Sequence, residues 1–264
     1  MTGHRNKDLR LTDNRALALA SATAERLSRP LVVLHIFSPS DYVAHDRSPR
    51  RIDFQLRALR LLQLELVKKN VPLFSVVWTD RKEVESKLTG LLGEWRATHL
   101  FGNIEYEVDE LRRDEKVVRA AMEARKAGEG WGGEVAFVKD FCVVGPGEIL
   151  TQVRLTLLVE PHELRPRRWQ QGKPYSVYSP WYKNWANTIA QNPHDYLEDA
   201  GTLVANPLPL SPLLITLLTH QLPTSIPGFA FSAEDQATMN RLWPVGEDVC
   251  SQVRPSFTSA PRGS

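Results

Sequence analysis

The chain has 264 residues, 42% of them apolar, with 33 Lys and Arg against 31 Asp and Glu for a formal net charge of +2. That apolar share is enough for a buried core and excludes a chain disordered by composition, while the near-balanced charge gives no signature of a nucleic-acid binder. Cys142 and Cys250 lie far apart without metal-ligand spacing and read as thiols of a reducing, intracellular compartment, and no apolar run has the length of a membrane span or the pattern of a secretory signal.

In chain order, Asp13 or Asn14 can cap a helix whose apolar positions Leu17, Ala20, Ala24 and Leu27 follow helical spacing, and Pro30 ends it. Leu31–Phe37 is a continuous apolar run, as in a parallel strand covered on both faces. A loop, Ser38–Arg47, leads to Pro49, which suits the first turn of a long helix with Phe54, Leu56, Leu59, Leu62, Leu66 and Val67 broadly on one side. Leu73–Trp78 reads as a strand, Val84–Trp95 as a helix, His99–Phe101 as a strand, Glu107–Ala127 as a helix and Val135–Val138 as a strand. Strands alternating with amphipathic helices predict βαβ units and a Rossmann-like, mostly parallel α/β sheet. Beyond Cys142 the alternation stops, and Pro146, Pro161, Pro166 and Pro174 mark a connecting arm. Ser179–Ile189 can form a short helix carrying Trp181 and Trp185, residues 206–230 show no clear periodicity, Ala233–Trp243 can form a last helix, and Val253–Ser264 reads as a disordered tail.

The most informative stretch is Phe101–Asp114, where a short strand ends in Gly102-Asn103 and a helix opens behind a run of carboxylates, Glu105, Glu107, Asp109 and Glu110. Acids at a helix N-terminus are common for stability alone, but the carboxyl end of a strand is also where open α/β sheets place ligands. The whole wording, Asn103-x-Glu105-Tyr106-Glu107-x-Asp109-Glu110-x-x-Arg113-Asp114, resembles the N-terminal domain of DNA photolyases and cryptochromes, most closely the folate-binding class I branch. Four further blocks resemble the family in the same order: Asp8-Leu-Arg-Leu-Thr-Asp-Asn14, Ala44-His-Asp-Arg-Ser-Pro-Arg50, Gly172-Lys-Pro-Tyr175 through Trp185, and Arg241-Leu-Trp-Pro-Val-Gly-Glu247. The resemblance divides the chain into an α/β domain over 1–145, an interdomain arm over 146–210, the start of a helical domain over 211–248 and a tail over 249–264.

The sequence departs from the family pattern in three places. The family has a central apolar strand directly before Asp-Leu-Arg, whereas Met1–Lys7 lacks apolar alternation, so the N-terminal strand is expected to be missing through a truncated or mis-assigned start; the alternative is that another segment takes its place. Val153–Gln170 intervenes where relatives run on almost directly, and reads as a retained intron in frame or as a basic loop contacting DNA. The family's flavin signature, Thr-Ser-x-Leu-Ser, does not occur, and Thr224-Ser225-Ile226-Pro227 is not a version of it. The C-terminal flavin domain is therefore expected to be missing, with no catalytic residue in this chain.

The resemblance implies light-driven repair of pyrimidine dimers in DNA, with FAD as the catalytic cofactor and a folate (methenyltetrahydrofolate) antenna passing excitation energy to it. It also implies a nuclear location, weak folate binding and weak DNA affinity at best for this part alone, no membrane and no metal. Its folate-binding positions fall on His45, Asp109 and Glu110. A carboxylate can accept parallel N–H bonds from the amino-pyrimidinone edge of a pterin, which suits Glu110, and His45 can reach the polar tail, although a loop histidine by itself reads as solvated. Asp109 stands where folate-binding relatives often have asparagine, and an ionised aspartate cannot donate from its side chain. Asp8, Arg10 and Asp13 read as a locally paired turn, and Arg112, Arg113 and Asp114 as partners of neighbouring charges. Tyr175, Tyr178, Trp181 and Trp185 read as packing residues, with nucleobase stacking as the alternative. The competing functions are a cryptochrome-like photoreceptor or interaction module, and a generic α/β domain binding AMP or ATP, which lacks support in the form of a glycine-rich phosphate turn.

Overall fold

A computed structural model describes residues 2–5, 8–146, 148–149, 175, 177–230 and 232–249. The segment Val153–Gln170, the block from Gly172 to Pro174 and the tail Val253–Ser264 lie outside the described residues. The chain divides into two compact units, one from the described residues of Met1–Val138 and Ala200–Ser264, the other Lys139–Asp199.

The first unit is built on a five-stranded parallel sheet with strand order β3-β2-β1-β4-β5. Its strands are β1 (Thr2–Arg5), β2 (Val32–Phe37), β3 (Leu73–Val77), β4 (His99–Asn103) and β5 (Glu134–Val138). Between them run α1 (Arg15–Arg26), α2 (Pro39–Ala44), α3 (Pro49–Val67), α4 (Val84–Glu94) and α5 (Val108–Ala127).

The N-terminal strand corrects the expectation drawn from sequence. Thr2–Arg5 is paired in parallel on both edges, Gly3 standing opposite Val33 of β2 and Phe101 of β4. A central position offers hydrogen-bond partners on two sides, so an extended backbone is held there by pairing rather than by the apolar alternation that Thr-Gly-His-Arg lacks.

Both faces of the sheet are covered, which explains why β2 is buried at every position. Val33, Phe37 and Phe101 face Leu17, Ala20 and Ala24 of α1 and Ile52, Leu56, Leu59, Leu62 and Leu66 of α3. Leu34, Ile36 and Leu100 face Val84, Leu88 and Leu92 of α4 and Val117 and Ala121 of α5. Full burial of one such side chain stabilises by about 1.5–3 kcal/mol. Phe54 and Val67, expected on the inner side of α3, are exposed. Phe54 follows Ile52 by two residues, about 200° round the helix, and Val67 follows Leu66 by one, about 100°.

Helix ends follow local chemistry. Asn14, not Asp13, caps α1, its Oδ1 accepting from Leu17 N at 2.9 Å, while Asp13 occupies the left-handed region at φ 47°. Ser48 caps α3 ahead of Pro49. Gly128, at φ 72°, ends α5 in the left-handed conformation that glycine adopts without a Cβ clash.

Within the same unit, the returning chain adds α8 (Pro212–Leu218) and α9 (Ala233–Leu242). Leu203, Ile226 and Phe229 join the α1–α3 side of the core, and Leu214 and Leu217 close on Val32. α8 falls inside the 206–230 stretch that showed no periodicity, because a short helix buries just two of its residues, Leu214 and Leu217. Gln236 bonds Asp53, Arg57 Nη1 donates to Trp243 O at 2.9 Å, and the Glu247 carboxylate accepts from Leu11 N, from Thr12 N at 3.2 Å and from the Thr12 hydroxyl.

The second unit holds α6 (Tyr178–Gln191) and α7 (Pro193–Leu197). Tyr178, Trp181, Tyr182 and Trp185 recur at i, i+3, i+4 and i+7 on α6, with neighbouring ring centroids 5.7–6.4 Å apart. No residue of α6 is buried, so this stripe is not part of a packed core among the described residues.

Candidate functional site

Strand order 3-2-1-4-5 places the topological switch point between β1 and β4, where open α/β sheets hold nucleotides. Here that crevice is crossed by side chains. Asp8 Oδ2 accepts from Asn14 Nδ2 at 2.8 Å and from Asn103 Nδ2 at 2.9 Å, and Asn103 Oδ1 accepts from Ala16 N at 3.0 Å. Arg10 closes the turn, Nε lying 3.0 Å from Asp8 Oδ1, with Asp13 at 4.0 Å, the local pairing expected from the sequence. The network ties the loop after β1 to the end of β4.

A cleft opens beside it, at the carboxyl end of β2. Its volume is about 340 Å³, and Ile36, Ser38, Tyr42 and Glu110 contribute to its wall together with Ile52, Phe54, Gln55 and Ala58 of α3 and Leu9 from the loop after β1. The expected loop Ser38–Arg47 is the source of much of this wall, because Pro39–Ala44 forms the helix α2. Pro39 at the first helical position and Asp41 in the first turn favour it.

The three residues singled out by sequence fall at different depths. Glu110 is buried, at 5% exposure, in the first turn of α5, and it lines the cleft. His45 caps the C-terminus of α2, and Asp109 sits beside Glu110 on α5; His45 Nε2 lies 3.8 Å from Asp109 Oδ2 and 3.4 Å from Asp41 Oδ1. Neither His45 nor Asp109 belongs to the cleft wall. They meet each other directly, and Arg81 Nη1, 2.8 Å from Asp41 and 3.1 Å from Asp109, joins the two carboxylates. Asp109 is thus held by the Arg81 guanidinium.

Arg81 and Asp41 escaped the sequence reading. The i, i+4 spacing of Asp41 and His45 after Pro39 carried a helical signal, but Arg81 arrives from the turn after β3 and shares no local pattern with its partners. Tyr42 was missed too. Burial, with Asp41 and Glu105 adding to it, pushes its phenol up to about 12, so it remains a neutral hydroxyl in the cleft wall. Behind the cleft, Arg113 pairs with Asp114 at 2.7 Å and Glu105 at 3.4 Å, the structural pairing expected of it. Burial raises the Asp114 pKa, with Arg113 opposing; burial also works against the Arg113 charge, but Asp114, Glu105 and Glu110 together hold it above its ordinary value.

An open parallel sheet with a cleft at the carboxyl ends of its strands defines a Rossmann-like α/β domain. The chain belongs to the DNA photolyase family, whose sequence profile matches residues 4–198. It is 38% identical over 240 residues to the deoxyribodipyrimidine photo-lyase of Neurospora crassa, covering 91% of this chain and 35% of that protein. It is 29% identical over 252 residues to the deoxyribodipyrimidine photo-lyase of Salmonella typhimurium, covering 94% of this chain and 43% of the relative. The chain therefore spans between about a third and two-fifths of the length of these curated relatives. Among solved structures, a class III photolyase from Agrobacterium tumefaciens matches with a TM-score of 0.56 at 20% identity, over 94% of this chain and 42% of that one. A cryptochrome from Synechocystis matches with a TM-score of 0.52 at 13% identity, over 80% of this chain and 38% of that one, and both likenesses show the fold.

Among the described residues, no helix is long and apolar enough to cross a membrane, and no group of three or more His, Cys, Asp and Glu side chains could hold a metal ion.

Proposed function

We propose that the cleft between α2, α3 and the start of α5 binds the antenna chromophore of a protein that repairs pyrimidine dimers with light. The observation that carries this reading is Glu110, a buried carboxylate in the wall of a cavity of about 340 Å³ that also presents the apolar side chains of Ile36, Ile52 and Phe54. A flat heteroaromatic ring can lie against Ile36, Ile52 and Phe54 while the carboxylate accepts its ring N–H groups, and this donor set fits a folate pterin. Bound there, the pterin would absorb light and pass excitation energy to the flavin. The chain's own residues orient it: Glu110 fixes the ring edge, the neutral Tyr42 hydroxyl is available to donate, and the His45–Asp109–Arg81 group braces α2 against α5. FAD, DNA and a nuclear address belong to the same reading through the family, and no residue of this chain is assigned to catalysis.

An adenine-nucleotide domain finds less support, since Asp8, Asn14 and Asn103 bond one another across the switch point. Equilibrium titration with methenyltetrahydrofolate, a deazaflavin and AMP or ATP separates the readings. Folate binding by the wild type, lowered at least about tenfold in Glu110→Ala, is the expected result, each lost charged hydrogen bond costing about 1.5–3 kcal/mol. Unchanged folate affinity in Glu110→Ala would remove Glu110 from the site, and nucleotide binding without folate binding would overturn the antenna reading.

A further inference from the structure

The charges lining the cleft do not pair with one another. Asp41 is engaged by Arg81 at 2.8 Å and by His45 at 3.4 Å, and Asp53, on the neighbouring turn of α3, is engaged by Arg57 at 2.8 Å. Arg47 and Arg51 also line the cleft, yet among the described residues neither has a carboxylate within ion-pair distance. The first turn of α3, which carries Arg51, contains no acid to neutralise it. Arg47 is half-buried and Arg51 exposed, which places these cations toward the open side, while the buried Glu110 lies deep. The cavity is therefore bipolar: a buried carboxylate that can accept ring N–H groups, and two more exposed guanidinium groups without an ion-pair partner among the described residues.

We propose that Arg47 and Arg51 form an anion-recognising rim that selects a ligand whose heteroaromatic head carries an acidic tail, either carboxylate or phosphate. Guanidinium is the side chain suited to this task, because its fixed fork bonds both kinds of oxyanion in bidentate fashion. Two like charges facing one cavity repel each other, and a bound anion relieves that repulsion; the site therefore favours an acidic tail over a neutral one. This inference rests on the reading of the cleft as a chromophore site, and adds to it the chemical feature by which the ligand is chosen.

The test uses ligand pairs that differ in the tail: pteroyltriglutamate against 6-hydroxymethylpterin, and FMN against riboflavin. Each is titrated into the purified chain by calorimetry at low and high salt. The acidic member of at least one pair should bind about tenfold or more tightly than its neutral counterpart, with the advantage shrinking as salt rises. A carboxylate source shows in the pterin pair and a phosphate source in the flavin pair. Arg47→Gln/Arg51→Gln should abolish the advantage, and Arg47→Lys/Arg51→Lys should retain part of it. The single variants Arg47→Gln and Arg51→Gln should each lose part of the advantage, whereas Arg50→Gln, which makes the same one-charge change beside the cleft but outside its lining, should keep it in full. Equal binding of acidic and neutral members, or an equal loss in Arg50→Gln, overturns the rim while leaving the cleft reading intact. Failure of every ligand to bind overturns both.

Discussion

Asn206 shows how much one side chain can fasten. Its Oδ1 accepts from Leu31 N at 2.7 Å and its Nδ2 donates to Leu31 O and Asn70 O, each at 2.8 Å, with the residue 5% exposed. The amide thus joins the returning chain to the start of β2 and the end of α3. Asn206→Ala should lower the urea midpoint with little change in slope, since each buried group left unpaired costs about 1–3 kcal/mol. His220 gives a pH-dependent counterpart. Its ring lies 3.2 Å from Ser75 Oγ and 4.3 Å from the Phe74 ring centroid, and burial lowers its pKa below the ordinary 6.5, with Ser75 opposing. The folded state therefore binds fewer protons than the unfolded state near that value. Its contribution is present above pH 6.5 and lost as pH falls through the depressed folded value. Thermal unfolding followed from about pH 7 to pH 5 should show a fall that His220→Gln makes shallower. Neither residue could be recognised in sequence, because Asn206 serves Leu31 across 175 positions and His220 serves Ser75 across 145.

At the scale of elements, β1 is the most instructive. Four residues without apolar alternation occupy the centre of the sheet, between β2 and β4. If two-sided pairing holds them, the backbone amides of Gly3, His4 and Arg5 should be among the slowest to exchange in hydrogen–deuterium exchange, as central-strand amides are. Fast exchange there, with protection retained in β2 and β4, would show that this strand contributes little to the sheet. The other strands and the long helices were legible because burial on both faces, or on one stripe, leaves a repeating apolar pattern, as in Leu31–Phe37 and in Leu56, Leu59, Leu62 and Leu66. Helices α2, α7 and α8 left no such pattern, being five to seven residues long, too short to repeat a buried stripe.

For the whole molecule, charge is balanced overall, and among the described residues Arg47 and Arg51, which line the cleft, have no ion-pair partner. DNA binding by this chain should accordingly be weak, fall steeply between low and physiological salt, and show no preference for dimer-containing duplex in a gel-shift or anisotropy titration. A dimer preference would place a specific DNA-binding face within this chain. The sequence by itself determined the α/β alternation, a cap for α1 at Asp13 or Asn14, Pro49 in the first turn of α3, the family wording around Glu105–Asp114 and the local pairing of Arg10 with Asp8. These depend on neighbours a few residues apart, so their signal is periodic or contiguous. Tertiary structure alone decided that Thr2–Arg5 is the central strand, that Arg81 joins Asp41 to Asp109, and that Glu110 lines the cleft while His45 and Asp109 stand at its edge. Each of those depends on which loops a five-stranded sheet brings to one edge, and that is set by strand order, to which no local pattern of residues answers.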